Sequence, residues 1–185
     1  MSKKLAVVFP GAGYHCDKPL LYYSKKIAKN KDYEIIEADY DFREFVKNIK
    51  EDAEATQKAL EFGIERVSEQ LKDVDFQSYE KVVFIGKSIG TAIAAKYNAE
   101  NEIGAEQIVF TPIEATFSYL SPCDGFVFHG TADPLCDTDM CVQLCEQMSL
   151  TYAVIPDANH SLETGDVSID LTNMKRIMSI VEELL

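Results

Sequence analysis

One segment constrains the fold of this chain more than any other part of the sequence. The apolar run at 81–85 has the composition of a buried parallel strand, and it leads through Gly86-Lys-Ser-Ile-Gly90 into the helix-prone residues 91–97. In so tight a turn between a strand and a helix, the central serine is held in a strained conformation, and the flanking glycines avoid collisions with the neighbouring elements. The pattern therefore predicts an α/β fold that presents Ser88 as a nucleophile.

Two further strand-like runs end in polar residues that suit the same chemistry. The run at 125–129 ends shortly before Asp133, and the run at 151–155 ends shortly before His160. Sites in open α/β sheets form at the carboxyl ends of the strands, so these side chains are expected to meet Ser88 at one edge. A serine needs a base to take its proton, and the base needs a carboxylate to orient it. We therefore predict His160 as the base and Asp133 as its carboxylate partner.

The choice of the carboxylate has alternatives nearby in the sequence. Asp137 and Asp139 are close enough to Asp133 to replace it, and an aspartate in such a turn commonly bonds its own backbone. Asp133 is favoured because it alone directly follows the turn that begins at Gly130.

The choice of the base also has alternatives. His129 ends a predicted buried strand, where it resembles a core histidine whose hydrogen bonds are satisfied. His15 belongs to the opposite loop, from which it could contact a substrate. His160 is favoured because it follows the last strand, at the position that this pattern requires.

Four short motifs follow one another along nearly the whole chain. They are Phe9-Pro-Gly-Ala-Gly13, Gly86-Lys-Ser-Ile-Gly90, His129-Gly-Thr-Ala-Asp133 and Asn159-His160. In this order and spacing they resemble the α/β-hydrolase superfamily of serine hydrolases, and within it the small lidless esterases similar to dienelactone hydrolase. The resemblance implies cleavage of a carboxylic ester, thioester or amide bond in a small substrate through an acyl-enzyme, without a cofactor or a catalytic metal ion.

The resemblance also implies two backbone N–H donors for the developing oxyanion. The first is Ile89, which immediately follows the nucleophile, and the second comes from the loop after the first strand, with Ala12 preferred and Gly13 as the alternative. Pro10 stands where the family frequently has a histidine. The proline at this position does not remove the second donor, because a backbone N–H group does not depend on the identity of the neighbouring side chain.

Several apolar or aromatic side chains fall in segments expected around the mouth of the site. We predict that they contact the acyl or alcohol group of the substrate. They are Tyr14, His15, Phe117, Tyr119 and Leu135.

Six strand-like runs, mostly with helical patterns between them, predict a doubly wound parallel sheet. The runs lie at 4–9, 33–38, 81–85, 106–110, 125–129 and 151–155. The family resemblance implies the spatial order 2-1-3-4-5-6, with the family's two leading antiparallel strands missing. The short connection at 111–124 leaves no room for a cap domain, so an open site is expected. We predict a single domain over residues 1–185.

Two apolar stripes at helical spacing predict helices that cover the sheet. The first runs through Val46, Ile49, Ala53, Thr56, Leu60, Ile64, Val67, Leu71 and Val74. A coiled coil is the alternative for this stripe, but small Ala53 and polar Thr56 favour an amphipathic helix packed on the sheet. The second stripe closes the chain through Leu171, Met174, Ile177, Met178, Val181 and Leu185.

Composition limits the partners of the chain. With 185 residues and 46% hydrophobic residues the sequence suits one domain with a sizeable core. A net charge of -13 argues against binding nucleic acid or an anionic membrane, because such binding needs clustered basic residues. The expected partner is a small ester-type molecule.

The location of the protein is predicted from what the sequence lacks. No stretch is long enough to span a bilayer, and the apolar run of the N-terminus is broken at Pro10 before it could form a signal peptide. An odd number of cysteines, five, without an export signal indicates reduced thiols. These features predict a cytoplasmic protein.

Three of the cysteines lie close together on and before a probable helix. Cys136, Cys141 and Cys145 raise the possibility of a metal site, but none of their spacings is CxxC, and free cysteine is often simply buried. Packing is therefore the favoured interpretation. Cys16, in the probable site loop, is the better candidate for reactivity, with a place in the pocket wall as the favoured role.

Two other functions use the same residues or the same fold. An acyltransferase would form the same acyl-enzyme and pass it to an alcohol or amine in place of water, which the sequence does not distinguish. A binding protein without catalysis would be expected to have lost the nucleophile, the base or one of the two glycines that flank the nucleophile turn. All of these are present, so hydrolysis is the leading prediction.

Overall fold

The computed structural model describes residues 3–42, 53–123 and 125–185. Six strands form one parallel sheet in the order β2-β1-β3-β4-β5-β6. They are β1 (Lys4–Phe9), β2 (Tyr33–Glu37), β3 (Lys81–Lys87), β4 (Glu106–Phe110), β5 (Gly125–Gly130) and β6 (Thr151–Ile155). The predicted fold class and strand order are confirmed.

Among the described residues, five α-helices connect or follow these strands. They are α1 (Pro19–Asn30), α2 (Ala53–Leu71), α3 (Ile89–Glu100), α4 (Thr138–Gln147) and α5 (Val167–Leu184). Helix α2 carries the first apolar stripe from residue 53 to Leu71, and buried Leu60 and Val67 pack it on the sheet. Val46 and Ile49 of that stripe lie outside the described residues. Val74 follows the end of α2.

The sheet is covered on both faces, which is why its strands are apolar on both sides. In β1, Ala6 and Val8 face the core beneath α1 and α5, whereas Leu5, Val7 and Phe9 face the core beneath α2 and α3. Helix α4 closes a third cluster on the second face, beside β4 and β5.

The closing stripe is buried along most of its length. Ile177, Val181 and Leu185 join the core, and Met174 and Met178 pack against it. Leu171 is the exception with 67% exposure, because the first turn of α5 extends beyond the sheet.

The connection between β4 and β5 is compact. Its described residues hold one 3₁₀ turn, Glu114–Ser118, and no cap domain. Within the described ranges, no helix has both the length and the apolar character needed to cross a membrane.

Candidate active site

The turn between β3 and α3 has the strained geometry expected of a nucleophile elbow. Ser88 lies there at φ 57° and ψ -129°. A Cβ atom added at Gly86 would come within 2.8 Å of the Cα atom of Thr91, and one added at Gly90 would overlap the carbonyl oxygen of Phe9. Both glycines are therefore required by close approach of the backbone.

Three side chains from three loops form a continuous hydrogen-bonded chain. The Nε2 atom of His160 lies 2.8 Å from the Oγ atom of Ser88, and its Nδ1 atom lies 2.8 Å from the Oδ2 atom of Asp133. Both distances fall in the range for direct proton transfer or a strong hydrogen bond. The structure thus brings together the three residues that the sequence placed at one edge of the sheet.

The carboxylate of Asp133 is shielded from solvent. Its side chain is fully buried, and its Oδ1 atom accepts the N–H of Leu135 at 2.9 Å. Burial alone would raise the pKa of Asp133, but the hydrogen bond and charge of His160, the N–H of Leu135 and the charge of His129 together lower it below the ordinary value. Asp133 is therefore ionised at neutral pH, with His160 as its partner.

The other candidates for these two roles are occupied elsewhere. Asp137 accepts the N–H of Met140 at 2.9 Å and so caps α4, and Asp139 lies in the first turn of that helix. The Nε2 atom of His129 lies 3.0 Å from a hydroxyl of α4, and His129 is buried. The side chain that reaches both the serine and the aspartate is that of His160.

The loops that carry the acid and the base are bonded to each other. We call residues 131–137 the acid loop and residues 156–166 the histidine loop. The N–H of Ala132 donates to the carbonyl of Ala158 at 2.9 Å, and the N–H of Asp157 donates to the Thr131 hydroxyl at 2.7 Å. Because β5 and β6 are neighbours, the two loops leave the sheet side by side and fix each other.

The loop after β1 passes close to the nucleophile. Gly11 and Tyr14 exchange two backbone hydrogen bonds of 3.0 Å, which makes a tight turn with Ala12 and Gly13 at its tip. A Cβ atom added at Gly11 would lie 3.0 Å from the Cβ atom of Ser88. The hydrogen bonds of the turn use the N–H groups of Gly11 and Tyr14, which leaves those of Ala12 and Gly13 as candidate donors.

The other candidate donor lies at the start of α3. Ile89 is the first residue of this helix, and its side chain is buried beneath the elbow. The first N–H groups of a helix have no partner within the helix, and they carry the positive end of its dipole. The N–H of Ile89 is therefore suited to receive negative charge beside Ser88.

Solved structures with the same architecture match nearly the whole chain at low sequence identity. A lidless α/β serine hydrolase from Xanthomonas campestris has a TM-score of 0.62 and 15% identity, over 100% of this chain and 84% of that chain. An α/β serine hydrolase homologue from Coxiella burnetii has a TM-score of 0.66 and 14% identity, over 100% and 86%. Est1E from Butyrivibrio proteoclasticus, with ferulic acid bound, has a TM-score of 0.69 and 13% identity, over 99% and 88%.

This chain has the α/β-hydrolase fold. The match extends from the first strand to the last helix, and the neighbours include lidless proteins, in agreement with the resemblance seen in the sequence. No protein-family model matches the sequence, and neither does any curated protein. At such low identities the neighbours establish the fold, and the chemistry has to be argued from the site.

Two of the residues predicted to contact the substrate are mainly buried. Tyr14 packs in the core, its hydroxyl accepts the N–H of Leu20 at 3.1 Å, and burial raises its pKa to about 12. Phe117 is buried in the cluster beneath α4. The sequence marked both as aromatics in loops, but their burial depends on tertiary packing that a loop pattern does not reveal.

The remaining predicted contacts are more accessible. Tyr119 is half-buried, with the Nζ atom of Lys96 5.2 Å from its ring centroid. Leu135 is half-buried and directly follows the acid in the loop. His15 is exposed and lines a cavity of about 500 Å³ beside the loop that carries Gly13.

That cavity lies between the loops that follow β1 and β2. Gly11, which passes close to Ser88, is one of its lining residues, but Ser88 and His160 are not. Four carboxylates also line it, from Asp17, Glu37, Asp39 and Asp41. The cavity is therefore an acidic pocket between the loops after β1 and β2, with Gly11 as the residue that it shares with the surroundings of Ser88.

The sequence analysis missed a buried hydroxyl pair beneath the elbow. The Oγ1 atom of Thr91 donates to the carbonyl of Ser88 at 2.6 Å and lies 2.7 Å from the Oγ1 atom of Thr116. The pair links the elbow to the 3₁₀ turn after β4. The sequence analysis treated Thr91 only as part of a helix-prone segment, and no sequence pattern indicates its contact with Thr116.

Proposed function

We propose that this chain is a serine hydrolase that cleaves carboxylic ester bonds of small substrates through an acyl-enzyme. The observation that carries the proposal is the pair of 2.8 Å contacts that join Ser88 to His160 and His160 to Asp133. A serine hydroxyl alone is a weak nucleophile at neutral pH, and this arrangement supplies the base and the orienting carboxylate that it needs.

In the first step the Oγ atom of Ser88 attacks the ester carbonyl while its proton passes to Nε2 of His160. Buried, ionised Asp133 accepts the N–H at Nδ1, which keeps the lone pair of Nε2 directed at the hydroxyl. The charge on Asp133 then stabilises the imidazolium. The proton on Nε2 leaves with the alcohol as the acyl-enzyme forms, and water reverses these steps to release the acid.

The tetrahedral intermediate needs N–H donors at its oxyanion. We assign one to Ile89, at the start of α3, and the second to Ala12, with Gly13 as the alternative. Preorganised donors of this kind contribute about 3 to 4 kcal/mol to the barrier in other hydrolases. The close passage of Gly11 beside Ser88 supports the assignment of the second donor to this turn.

The proposed substrate is a small ester that binds on the solvent-accessible side of the turn that carries Ser88. His15, Tyr119 and Leu135 are the accessible side chains proposed to contact it, with buried Tyr14 and Phe117 forming the supporting wall. Because Est1E is solved with ferulic acid bound, esters of aromatic acids belong in the substrate panel beside short aliphatic ones.

The test combines covalent labelling with turnover. A fluorophosphonate probe is expected to label Ser88 in the folded wild-type chain, as located by peptide mass, and p-nitrophenyl acetate and butyrate are expected to be hydrolysed. Ser88→Ala should abolish labelling and lower kcat/KM by about 10⁴-fold or more.

A matched control uses Ser118→Ala, which removes an exposed serine hydroxyl outside the three-residue chain. This variant should label and turn over like the wild type. Folded wild-type protein that neither reacts with the probe nor hydrolyses any ester of the panel would overturn the proposal.

A further inference from the structure

A second group of reactive side chains lies behind the acid loop, on the face of the sheet covered by α4. It consists of His129 at the end of β5, Cys136 in the acid loop, and Cys141 and Cys145 on α4, and we call it the thiol–imidazole cluster. All four residues are at most 3% exposed. None of them takes part in the hydrogen-bonded series of Ser88, His160 and Asp133.

The cluster brings three ligand atoms within reach of one metal ion. A ring nitrogen of His129 and the sulfur atoms of Cys136 and Cys141 all lie within 4.8 Å of one another. Cys145 lies one helical turn after Cys141 on α4, and both pack in the same buried cluster. Tetrahedral zinc, with Zn–S of about 2.3 Å and Zn–N of about 2.0 Å, places its ligand atoms about 3.5 to 3.8 Å apart, so small side-chain shifts complete the geometry.

One atom of the cluster points to a missing partner. The Nδ1 atom of His129 is fully buried and has no hydrogen-bond partner within the described residues. The Nε2 atom is engaged, at 3.0 Å from the hydroxyl of Thr138. An unpaired buried nitrogen is costly, whereas a metal-bound histidine ordinarily donates its other N–H to an oxygen. With a metal ion on Nδ1 of His129, the Nε2–H would donate to the Thr138 hydroxyl.

We propose that His129, Cys136 and Cys141 bind one Zn²⁺ ion. The thiols of Cys136 and Cys141 lose their protons to solvent on binding, and their two thiolates balance the charge of the Zn²⁺ ion while the imidazole stays neutral. Cys145, one helical turn after Cys141 on α4, is the candidate for a fourth ligand, as a third thiolate. This reverses the packing interpretation of these cysteines, because packing alone leaves Nδ1 of His129 unsatisfied.

The ion would join three parts of the structure that follow one another in the chain. It links the end of β5, the acid loop and the first turns of α4, and Cys136 follows Asp133 by only three residues. Pro134 and Asp137 of the acid loop are exposed, so this loop separates the cluster from solvent and is the side from which a metal ion would enter. The site is structural and independent of the proposed hydrolysis.

The test is a Co²⁺ titration of the full chain, reduced with a phosphine and freed of metal with a chelator. We expect one equivalent to produce the sulfur-to-cobalt charge-transfer band and the intense visible bands of a tetrahedral thiolate site, and Zn²⁺ to displace them. Zn²⁺ should also raise the Tm of the wild type. Folded wild-type protein without these bands would overturn the proposal.

Variants then locate the ion. Cys141→Ser and His129→Asn should weaken Co²⁺ binding by at least about 10-fold to 100-fold. Cys16→Ser, at a buried cysteine outside the cluster, and Cys123→Ser, at an exposed one, should bind as the wild type does. Retention of the full spectrum in Cys141→Ser, or its loss in Cys16→Ser or Cys123→Ser, would place the metal elsewhere and overturn the assignment.

A measurement on the wild type keeps the test decisive if the cluster variants do not fold. At a temperature where the chain begins to open, Zn²⁺ should slow the alkylation of Cys136 and Cys141, mapped by peptide mass, more than that of exposed Cys123. Equal rates with and without Zn²⁺ at all three cysteines would count against the site.

Discussion

Ser88 holds a backbone conformation that residues other than glycine rarely adopt. At φ 57° and ψ -129° its Cβ atom is crowded by its own backbone, which costs about 1 to 3 kcal/mol. The surrounding structure maintains this geometry, because Gly90 brings α3 against the end of β1 and Thr91 anchors the carbonyl of Ser88. The elbow therefore trades stability for the exposure of one hydroxyl to its base.

This strain is measurable by comparing Ser88→Gly with Ser88→Ala. Both variants lose the hydroxyl, so their difference in unfolding free energy reports on the backbone alone. Ser88→Gly should be more stable than Ser88→Ala by about 1 kcal/mol. Glycine releases the strain at this position, and that gain exceeds the conformational entropy that glycine loses on folding. Urea denaturation gives both values.

The same change in an unstrained position provides the control. Ala99→Gly, on the exposed side of α3, should destabilise the chain by up to about 1 kcal/mol, the opposite sign. If Ser88→Gly is less stable than Ser88→Ala by a similar amount, the turn carries no strain.

The carboxylate partner can be tested against its nearest rival in the same loop. Asp133→Asn leaves the shape of the side chain but removes the charge that fixes the tautomer of His160, so kcat should fall by about 10³-fold to 10⁴-fold. Asp137→Asn should retain near-normal kcat, because asparagine also caps a helix well. Steady-state kinetics with p-nitrophenyl butyrate decides; equal losses in both variants would contradict the assignment.

The buried charge of Asp133 also predicts a pH dependence of stability. Its folded pKa lies below the ordinary value of 3.8, so between these two values the unfolded chain binds more protons and stability rises with pH. The contribution is complete above the ordinary value and is lost as the pH falls through the folded one. Urea unfolding at a series of acid pH values should therefore show the wild type converging on Asp133→Asn; a constant gap would contradict the pKa shift.

At the scale of elements, the strands were the most predictable part of the fold. The runs at 106–110 and 151–155 became β4 and β6 without change, because each is a short segment rich in apolar residues and bounded by turns. The run at 81–85 became a longer strand that ends at Lys87. A lysine does not resemble a buried strand residue, yet Lys87 is buried, with its Nζ atom 5.0 Å from the ring centroid of Tyr14.

The site was predictable where function depends on chain order and less so where it depends on packing. Asp133 was preferred over Asp137 from the turn that precedes it, and it is the aspartate that His160 contacts. The burial of Tyr14 was missed because it follows from α1, whose Leu20 N–H bonds the hydroxyl. Contacts between distant segments of this kind leave no periodic signal in the sequence.

The histidine loop is shaped by one side chain next to the base. The Oδ1 atom of Asn159 accepts the N–H groups of Ser161 at 2.7 Å and of Glu163 at 3.3 Å. Asn159→Ala should lower kcat by about fivefold with little change in KM, because the loop loses hydrogen bonds that contribute about 1 kcal/mol to holding His160 in place. Asn159→Asp keeps the acceptor and should restore most of the rate. Equal kcat in Asn159→Ala and the wild type would mean that the loop is held by other contacts.

At the scale of the whole molecule, the charge of the chain bears on the choice of substrate. The net charge is -13, and the cavity between the loops after β1 and β2, on the same edge of the sheet as Ser88, is lined by four acidic residues. Such a field repels anionic substrates, and salt screens it, with a Debye length of about 30 Å at 0.01 M and about 8 Å at 0.15 M.

We therefore expect kcat/KM for the p-nitrophenyl monoester of succinic acid to rise several-fold between low and physiological salt. The value for p-nitrophenyl butyrate, an uncharged ester of similar length, should change little, which makes it the matched control. Stopped-flow or steady-state rates across a salt series give the ratio; a ratio that does not depend on salt would show that the field does not reach the reacting bond.

The three reacting side chains do not share one support. The acid and histidine loops leave adjacent strands and hold each other through backbone hydrogen bonds, while the elbow belongs to β3, with β4 lying between β3 and β5. The nucleophile and the proton-handling pair are thus separate modules of the sheet edge. Replacing the hydroxyl by a thiol at position 88 would change the reagent and leave the relay intact, so an evolving lineage could exchange its attacking atom in a single substitution.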